Sequence, residues 1–461
     1  MQLFGRYDVV VVGAGVTGVV ASVAAAREGA RTLLVEASGL LGGLITGGRL
    51  TKPTGFVQPG VYRELIERTA GLGGADPDTR ESYWGTYTGV FDPELMQRAI
   101  IETLEESGVE VLLFATATDV VRDGPRVRGL HLHTKGGPAL VLAHAVVDTT
   151  GDGDVAALSG AGAMVGRPED GRTQPMTSYF RILGVDIPRL VDDCRRHPDD
   201  LWELVVPEGA STNADYVLRF FMTGFTQRIE RARGEGFAWS IPKNHVTLKT
   251  GLLPGEVNVN VTRVHGDALD PRQRTNAALT VRKQAYCAFD FLKRYVDGFQ
   301  DAVFFDLAPV LGVRETRRIR GDYVLSDEDV RTEARFDDAI GLCNAPVDIH
   351  DPAGEKGIMV GVGSGYGIPY RALLPAGVDG LLVAGRCISV EAVAFGSTRN
   401  TPACALTGQA AGAAAALAAR REITPRELPA RAVQDALSAL GVVLGRTADD
   451  RLAGDQVGAA T

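Results

Sequence analysis

Four consecutive valines, Val9 to Val12, follow Tyr7-Asp8 near the start of the chain. An apolar run without alternation is the pattern of a parallel strand buried on both faces. After a glycine-containing turn, the Ala-rich stretch Val19 to Glu28 reads as a helix and Thr32 to Val35 as a second apolar strand that ends on Glu36. Asp92 to Ser107 has the spacing of an amphipathic helix. Strand-like segments follow at Val109 to Phe114, Thr118 to Arg122, Arg126 to Thr134 and Ala139 to Val147, which predict a meander. Val146 to Asp148 then runs into a glycine turn. Between Met164 and Phe299 the pattern changes: aromatic residues gather, and polar positions alternate with apolar ones around Glu256 to Val264, as in half-buried strands. A helix is expected near Arg272 to Tyr295. Toward the C-terminus, Gly380 to Ala384 reads as another buried strand, and Pro402 opens a long Ala-rich helix, Ala403 to Ala419.

The first turn is Gly13-Ala14-Gly15-Val16-Thr17-Gly18, a G-x-G-x-x-G between a strand and a helix, with Glu36 eighteen residues after Gly18. In that context it is the β-α-β dinucleotide fingerprint. Gly13 permits the tight turn, Gly15 lets the backbone approach a pyrophosphate, and Gly18 lets helix and strand pack closely. The helix N-terminus offers N–H groups to the phosphates, and Glu36, with Ala37 beside it, is placed for the ribose hydroxyls. A second glycine loop at Gly361, Gly363, Gly365 and Gly367 is followed by Pro369 and lacks an acid-terminated strand, so a second dinucleotide domain for NADPH is not expected.

The chain has 461 residues, enough for two or three domains at ~100 to 200 residues each. Its 48 basic and 57 acidic residues leave a formal net charge of −9 without a Lys/Arg-rich block, which argues against nucleic acid as a partner. The basic residues are 41 Arg and only 7 Lys. Five scattered cysteines without a C-x-x-C pair indicate neither a disulfide framework nor a metal cluster. Asp152-Gly153-Asp154 lacks the further oxygen ligands of a calcium loop, so no metal site is expected there. No signal peptide or membrane span is visible, and the expected location is cytoplasmic.

Just after Glu36, Leu40-Leu41-Gly42-Gly43-Leu44-Ile45-Thr46-Gly47-Gly48 resembles the second glycine motif of FAD-containing oxidoreductases of the glutathione-reductase-like superfamily. Further on come Gly151 to Asp154 (G-D-G-D), Arg314 to Tyr323 (R-E-x-R-R-I-x-G-D-Y), Gly385 to Ser389 (G-R-x-I-S), Arg399 to Cys404 (R-x-x-P-x-C) and Gly408 to Gly412 (G-Q-A-A-G). Together they resemble a bacterial FAD-dependent oxidoreductase family over Tyr7 to about Leu444. The resemblance implies an α/β fold: a Rossmann-like FAD-binding domain with a parallel sheet, plus an inserted β-rich substrate domain. The expected boundaries are 1–163 for the first part of the FAD domain, 164–299 for the substrate domain, 300–425 for the returning part, and 426–461 for a C-terminal helix and flexible tail. It implies that Gly42, Gly43, Leu44, Thr46 and Gly47 run beneath the flavin, that Ala117 borders the adenine, and that Thr150, Gly151, Asp152, Gly385, Arg386, Arg399, Pro402, Ala403 and Cys404 complete the cofactor site.

Many members carry a histidine shortly after G-R-x-I-S, whereas this chain reads Val390-Glu391-Ala392-Val393, which excludes a histidine base there. His245 is then the leading candidate, with Glu391, Tyr366, Arg399 and Arg314 as the other groups expected near the flavin. Arg314 heads the most charged short run and suits either an acidic substrate or structural ion pairs. The function these features imply is dehydrogenation of a small organic substrate by hydride transfer to flavin N5. The alternative is a flavoprotein reductase or a partner-dependent FAD subunit. Neither an electron acceptor nor an oligomeric state is legible.

Overall fold

The computed structural model describes residues 2–80, 87–351, 357–447, 449, 450 and 452; the end of the expected tail, from residue 453, lies outside the described residues. The valine run lies at the centre of a seven-stranded sheet. Strand Gln2–Val12 is flanked by parallel strands Thr32–Val35 and Gly137–Asp148, and Glu110–Leu112 adds outside Thr32–Val35. Val9 to Val12 are at most 5 % exposed, so each contributes about 1.5–3 kcal/mol of burial free energy. On the edge away from Gln2–Val12, the twelve-residue strand Gly137–Asp148 serves two further neighbours. Its first half pairs antiparallel with the meander strand Arg126–Thr134, and Val146 to Asp148 pair parallel with the returning strand Leu381–Val383.

Helices Val16–Arg27 and Thr401–Arg420 pack on each other over one face of this sheet. They approach backbone to backbone: a Cβ on Gly408 would collide with the Thr17 carbonyl, and one on Gly412 with that of Ala21. The G-Q-A-A-G spacing puts both glycines on the same helix face, four residues apart.

The second sheet is antiparallel, in the order Leu201–Val205, Phe221–Gly224, Val246–Thr250, Val257–Asn260, Tyr179–Leu183, Val303–Leu307. Its alternation sorts the two faces. Phe180, Ile182, Val246, Leu248, Val257 and Val259 point into a core shared with Phe291 and Leu292 of helix Pro271–Tyr295. The intervening polar residues point the other way. Arg49, just past the second glycine motif, anchors this sheet to the first unit by donating to Asp306 at 2.5 Å, while Arg181 donates to the same carboxylate at 2.7 Å.

Among the described residues, no helix is long and apolar enough to cross a membrane, and no group of three or more His, Cys, Asp or Glu side chains could hold a metal ion.

Candidate functional site

The fingerprint folds into a cradle whose three glycines differ. Gly13 has φ +98°, and a Cβ there would come within 2.7 Å of the Thr149 carbonyl. A Cβ on Gly18 would overlap the Gly13 carbonyl oxygen. Gly15 is the N-cap of helix Val16–Arg27, has ordinary extended backbone, and a Cβ there would meet nothing within 4 Å. The first two glycines are therefore required by the protein's own packing, whereas Gly15 leaves open space in front of the helix N-terminus, where a phosphate group fits.

The second glycine motif closes the same cradle. Gly42 takes a left-handed conformation (φ +92°), its N–H donates to the Ala14 carbonyl at 2.7 Å, and a Cβ on Gly43 would lie 2.9 Å from Gly15 Cα. Glu36 ends its strand with its carboxylate held by the N–H groups of Ala14 and Ser38, both at 2.7 Å. Ala37 is exposed beside it, and strand Thr116–Asp123, which carries Ala117, starts just past the Ala115 N–H that donates to the Glu36 carbonyl.

The turn after Gly137–Asp148 is tied to the returning chain. Asp152 accepts from Arg386 at 2.5 Å, Thr316 at 2.8 Å and Arg274 at 3.3 Å, and Thr150 donates to Asp148 at 2.7 Å. Burial alone would raise the Asp152 carboxyl, but Arg386 and the Thr316 bond outweigh it and hold it below the usual range. Gly385 packs on Thr17 and its N–H donates to Thr407 at 2.9 Å; Pro402 and Ala403 lie buried in the first turn of the final long helix.

A cavity of about 540 Å³ opens beside this cradle. Leu44 and Gly48 of the second glycine motif and Arg386, Arg399, Asn400 and Thr401 of the returning chain border it on one side, and the polar face of the antiparallel sheet borders it on the other. Strand register arranges that face in two rows, Tyr179, Asn260, Thr247 and Thr223, then Asn258, Lys249 and Phe221. The amide oxygens of Asn258 and Asn260 are buried without a hydrogen-bond partner.

Of the five candidate catalytic residues, His245, Arg314 and Arg399 line this cavity. The His245 ring lies against Trp202, centroids 4.1 Å apart, and burial together with Lys243 and Arg263 pushes its pKa well below the ordinary histidine value. It is uncharged at neutral pH and a weak base. Arg314 donates to the Pro175 carbonyl at 2.5 Å, and burial beside Arg399 lowers it to about 9. Tyr366 and Glu391 do not reach the cavity. The Tyr366 ring is turned into the core by its pairing with strand Ala339–Cys343, and its hydroxyl donates to Ser397 at 2.7 Å. Glu391 lies on the outer side of its turn, exposed, accepting from the Asp327 N–H at 2.8 Å.

Residues that the motifs did not single out complete the cavity. Arg399 donates to Asp348 Oδ2 at 2.8 Å and to its carbonyl at 2.6 Å. Burial would raise the Asp348 carboxyl, but the His350 ring, Arg399 and Arg314 hold it well below the usual range. His350 is pushed down to about 3 by burial and Arg314. Its Nδ1 faces an Arg263 N–H at 3.0 Å, which leaves the proton on Nε2, 3.5 Å from Asp348. Lys52, Lys243 and Lys249 also line the cavity, and burial lowers them to about 8, 7 and 7. The alternation over Glu256 to Val264 was the available signal for Asn258 and Asn260; nothing local marked Asp348 or His350.

The cysteines show no redox pair. Cys404 donates to the Arg399 carbonyl at 3.3 Å and burial pushes its thiol up to about 12; Cys194, Cys343 and Cys387 are likewise buried, and Cys287 alone is partly exposed. Thiol reactivity needs an accessible thiolate. Alkylation of the folded protein with iodoacetamide should give one adduct, at Cys287, by peptide mass spectrometry; rapid labelling of Cys404 would contradict this placement.

The sequence family described as FAD dependent oxidoreductase matches residues 8–437. No curated protein matches the chain. Among solved structures, p-nitrophenol 4-monooxygenase PnpA from Pseudomonas putida DLL-E4 is 12% identical over 97% of this chain and 91% of that one, TM-score 0.47. The flavin-dependent brominase Bmp2 is 14% identical over 94% and 83%, TM-score 0.48. A geranylgeranyl bacteriochlorophyll reductase-like protein from Thermoplasma acidophilum is 12% identical over 95% and 83%, TM-score 0.44. At these scores the likenesses bear on no activity.

Proposed function

The chain belongs to the FAD-dependent oxidoreductase family, and from that premise we propose that it dehydrogenates a small organic substrate held in the 540 Å³ cavity, the hydride passing to flavin N5. FAD is its cofactor, and the open space in front of Gly15, closed by Gly42 and Gly43, fits the pyrophosphate. Bound there, FAD supplies two-electron redox chemistry; the protein supplies binding, orientation and charge. The observation that carries the reading is that one cavity has the second glycine motif and the returning chain on one side and an ordered polar sheet face on the other.

In this reading the unpartnered amide oxygens of Asn258 and Asn260 accept hydrogen bonds from substrate O–H or N–H groups. A proton released from the substrate is taken up by Lys243, whose Nζ lies 3.2 Å from the Asn260 carbonyl. With its pKa near 7, Lys243 is a stronger base at neutral pH than the neighbouring His245. Anaerobic mixing of the yellow holoenzyme with panels of alcohols, amines and acids tests the oxidation: one chemical class is expected to bleach the flavin absorption. Silence across all panels, with reduction by NAD(P)H or a partner protein instead, would overturn it.

A further inference from the structure

The cavity's charge goes beyond what an uncharged substrate requires. Among the described residues its lining carries seven lysine and arginine side chains and one carboxylate, Asp348. Arg386 and Arg399 have carboxylate partners in Asp152 and Asp348. Three of the lining cations are lysines, although the chain holds only 7 lysines against 41 arginines.

Lys249 is the most telling of them. It is 5 % exposed, and buried lysines are ordinarily paired with an acid. Its Nζ instead sits 4.8 Å from the centroid of the Tyr179 ring, and the charge acting on it is a second amine, Lys52, whose Nζ lies 3.6 Å from the centroid of the Phe221 ring. Glu203 acts on Lys52 against the effect of burial. Across the strand pair from Lys249 stands Asn258, 2 % exposed, with its amide oxygen unpartnered. Two like charges on one cavity wall, backed by aromatic faces, form a receptor for an anion.

We propose that the substrate is a small organic acid whose carboxylate is held by Lys249 and Lys52 on the sheet face. This rests on the oxidation proposed above. The carboxylate is a handle and stays intact: the C–H bond broken is on the carbon that bears the hydroxyl or amino group, bound FAD would accept the hydride with both electrons, and the O–H or N–H proton leaves separately to Lys243, so that a C=O or C=N bond forms.

Titrating the holoenzyme with acetate, succinate and benzoate, and with the matching amides, while following the flavin absorption spectrum tests the anion site apart from turnover. At least one acid is expected to bind saturably and about tenfold or more tighter than its amide. Lys249→Met should weaken that acid at least about tenfold and leave amide binding and FAD content unchanged. Lys249→Arg should keep most of the affinity, and Lys52→Met provides a second variant should Lys249→Met fold poorly. Acids binding no tighter than amides, or Lys249→Met binding them as the parent does, would overturn the proposal. The two readings fail separately. Acid binding without flavin bleaching by any acid, alcohol or amine leaves the anion site and removes the oxidation; bleaching by neutral alcohols or amines without acid binding removes the anion site and leaves the oxidation.

Discussion

Replacing Gly15 with leucine should give a folded protein that purifies colourless. Gly15 has φ −64° and ψ 177°, which any residue adopts, and a Cβ there meets no protein atom within 4 Å. The substitution therefore costs the apoprotein little. It fills the space in front of the helix N-terminus, where backbone N–H groups and the helix dipole favour a phosphate. Gly18→Ala is the contrasting change. Its Cβ would overlap the Gly13 carbonyl oxygen and come within 2.5 Å of Thr149 Oγ1, so helix and strand must separate, at about 1–3 kcal/mol or more. Flavin absorbance of the purified protein reads the first effect, and circular dichroism with urea unfolding of the apoprotein reads the second. Full FAD retention by Gly15→Leu would mean that the pyrophosphate lies elsewhere. Because a bound cofactor stabilises only the folded state, the colourless variant should also unfold at lower temperature than the holoenzyme and at the same temperature as the stripped parent.

The cradle was legible because its parts are consecutive. Strand, turn, helix cap and acid follow one another within Val9 to Glu36, and the structure changes only their ends, the helix starting at Val16 and the strand reaching back to Gln2. The meander strands Thr116–Asp123, Arg126–Thr134 and Gly137–Asp148, the antiparallel sheet's alternation and the final helix were legible for the same local reason, whereas Glu110–Leu112, expected to open the meander, instead pairs parallel with Thr32–Val35 at the other edge of the sheet. The cavity was not, because its wall is made by register. Alternation showed that Asn258 and Asn260 share a face, but Lys249 joins Asn258 only through pairing of strands Val246–Thr250 and Val257–Asn260. Asp348 and His350 lie in a short strand, Val347–His350, paired with Gly357–Val360, and reach the cavity through contacts with Arg399 and Arg263, whose positions are 51 and 87 residues away. Tyr366 and Glu391 illustrate the converse. Each sits close in sequence to cavity-lining segments, and the direction of the side chain, inward to Ser397 in one case and outward to the Asp327 N–H in the other, takes it away.

Asp348→Asn should be the most destabilising single change in the cavity wall, at about 3 kcal/mol. The carboxylate is 18 % exposed on its side chain and accepts from Arg399 while facing the His350 ring, with Arg314 close enough to act on it. Removing its charge leaves the Arg399 and Arg314 guanidinium groups to one another, and Arg399 already has a buried Nε without a partner. The figure is the lower end of the cost of orphaning a buried charge because the site keeps some solvent contact. The carboxyl is held below its unfolded value of about 3.9, so its contribution is present in full above that pH and is lost as pH falls below it. Urea unfolding of parent and variant should therefore differ by about 3 kcal/mol at pH 7 and by progressively less below about pH 4. Anion affinity should move the opposite way: with the one described carboxylate of the lining gone, acetate, succinate or benzoate should bind the variant a few-fold more tightly than the parent. A variant as stable as the parent at pH 7 would show that Arg399 and His350 are held by the backbone carbonyl of residue 348 and the surrounding packing, and that the Asp348 charge serves only to temper the cavity.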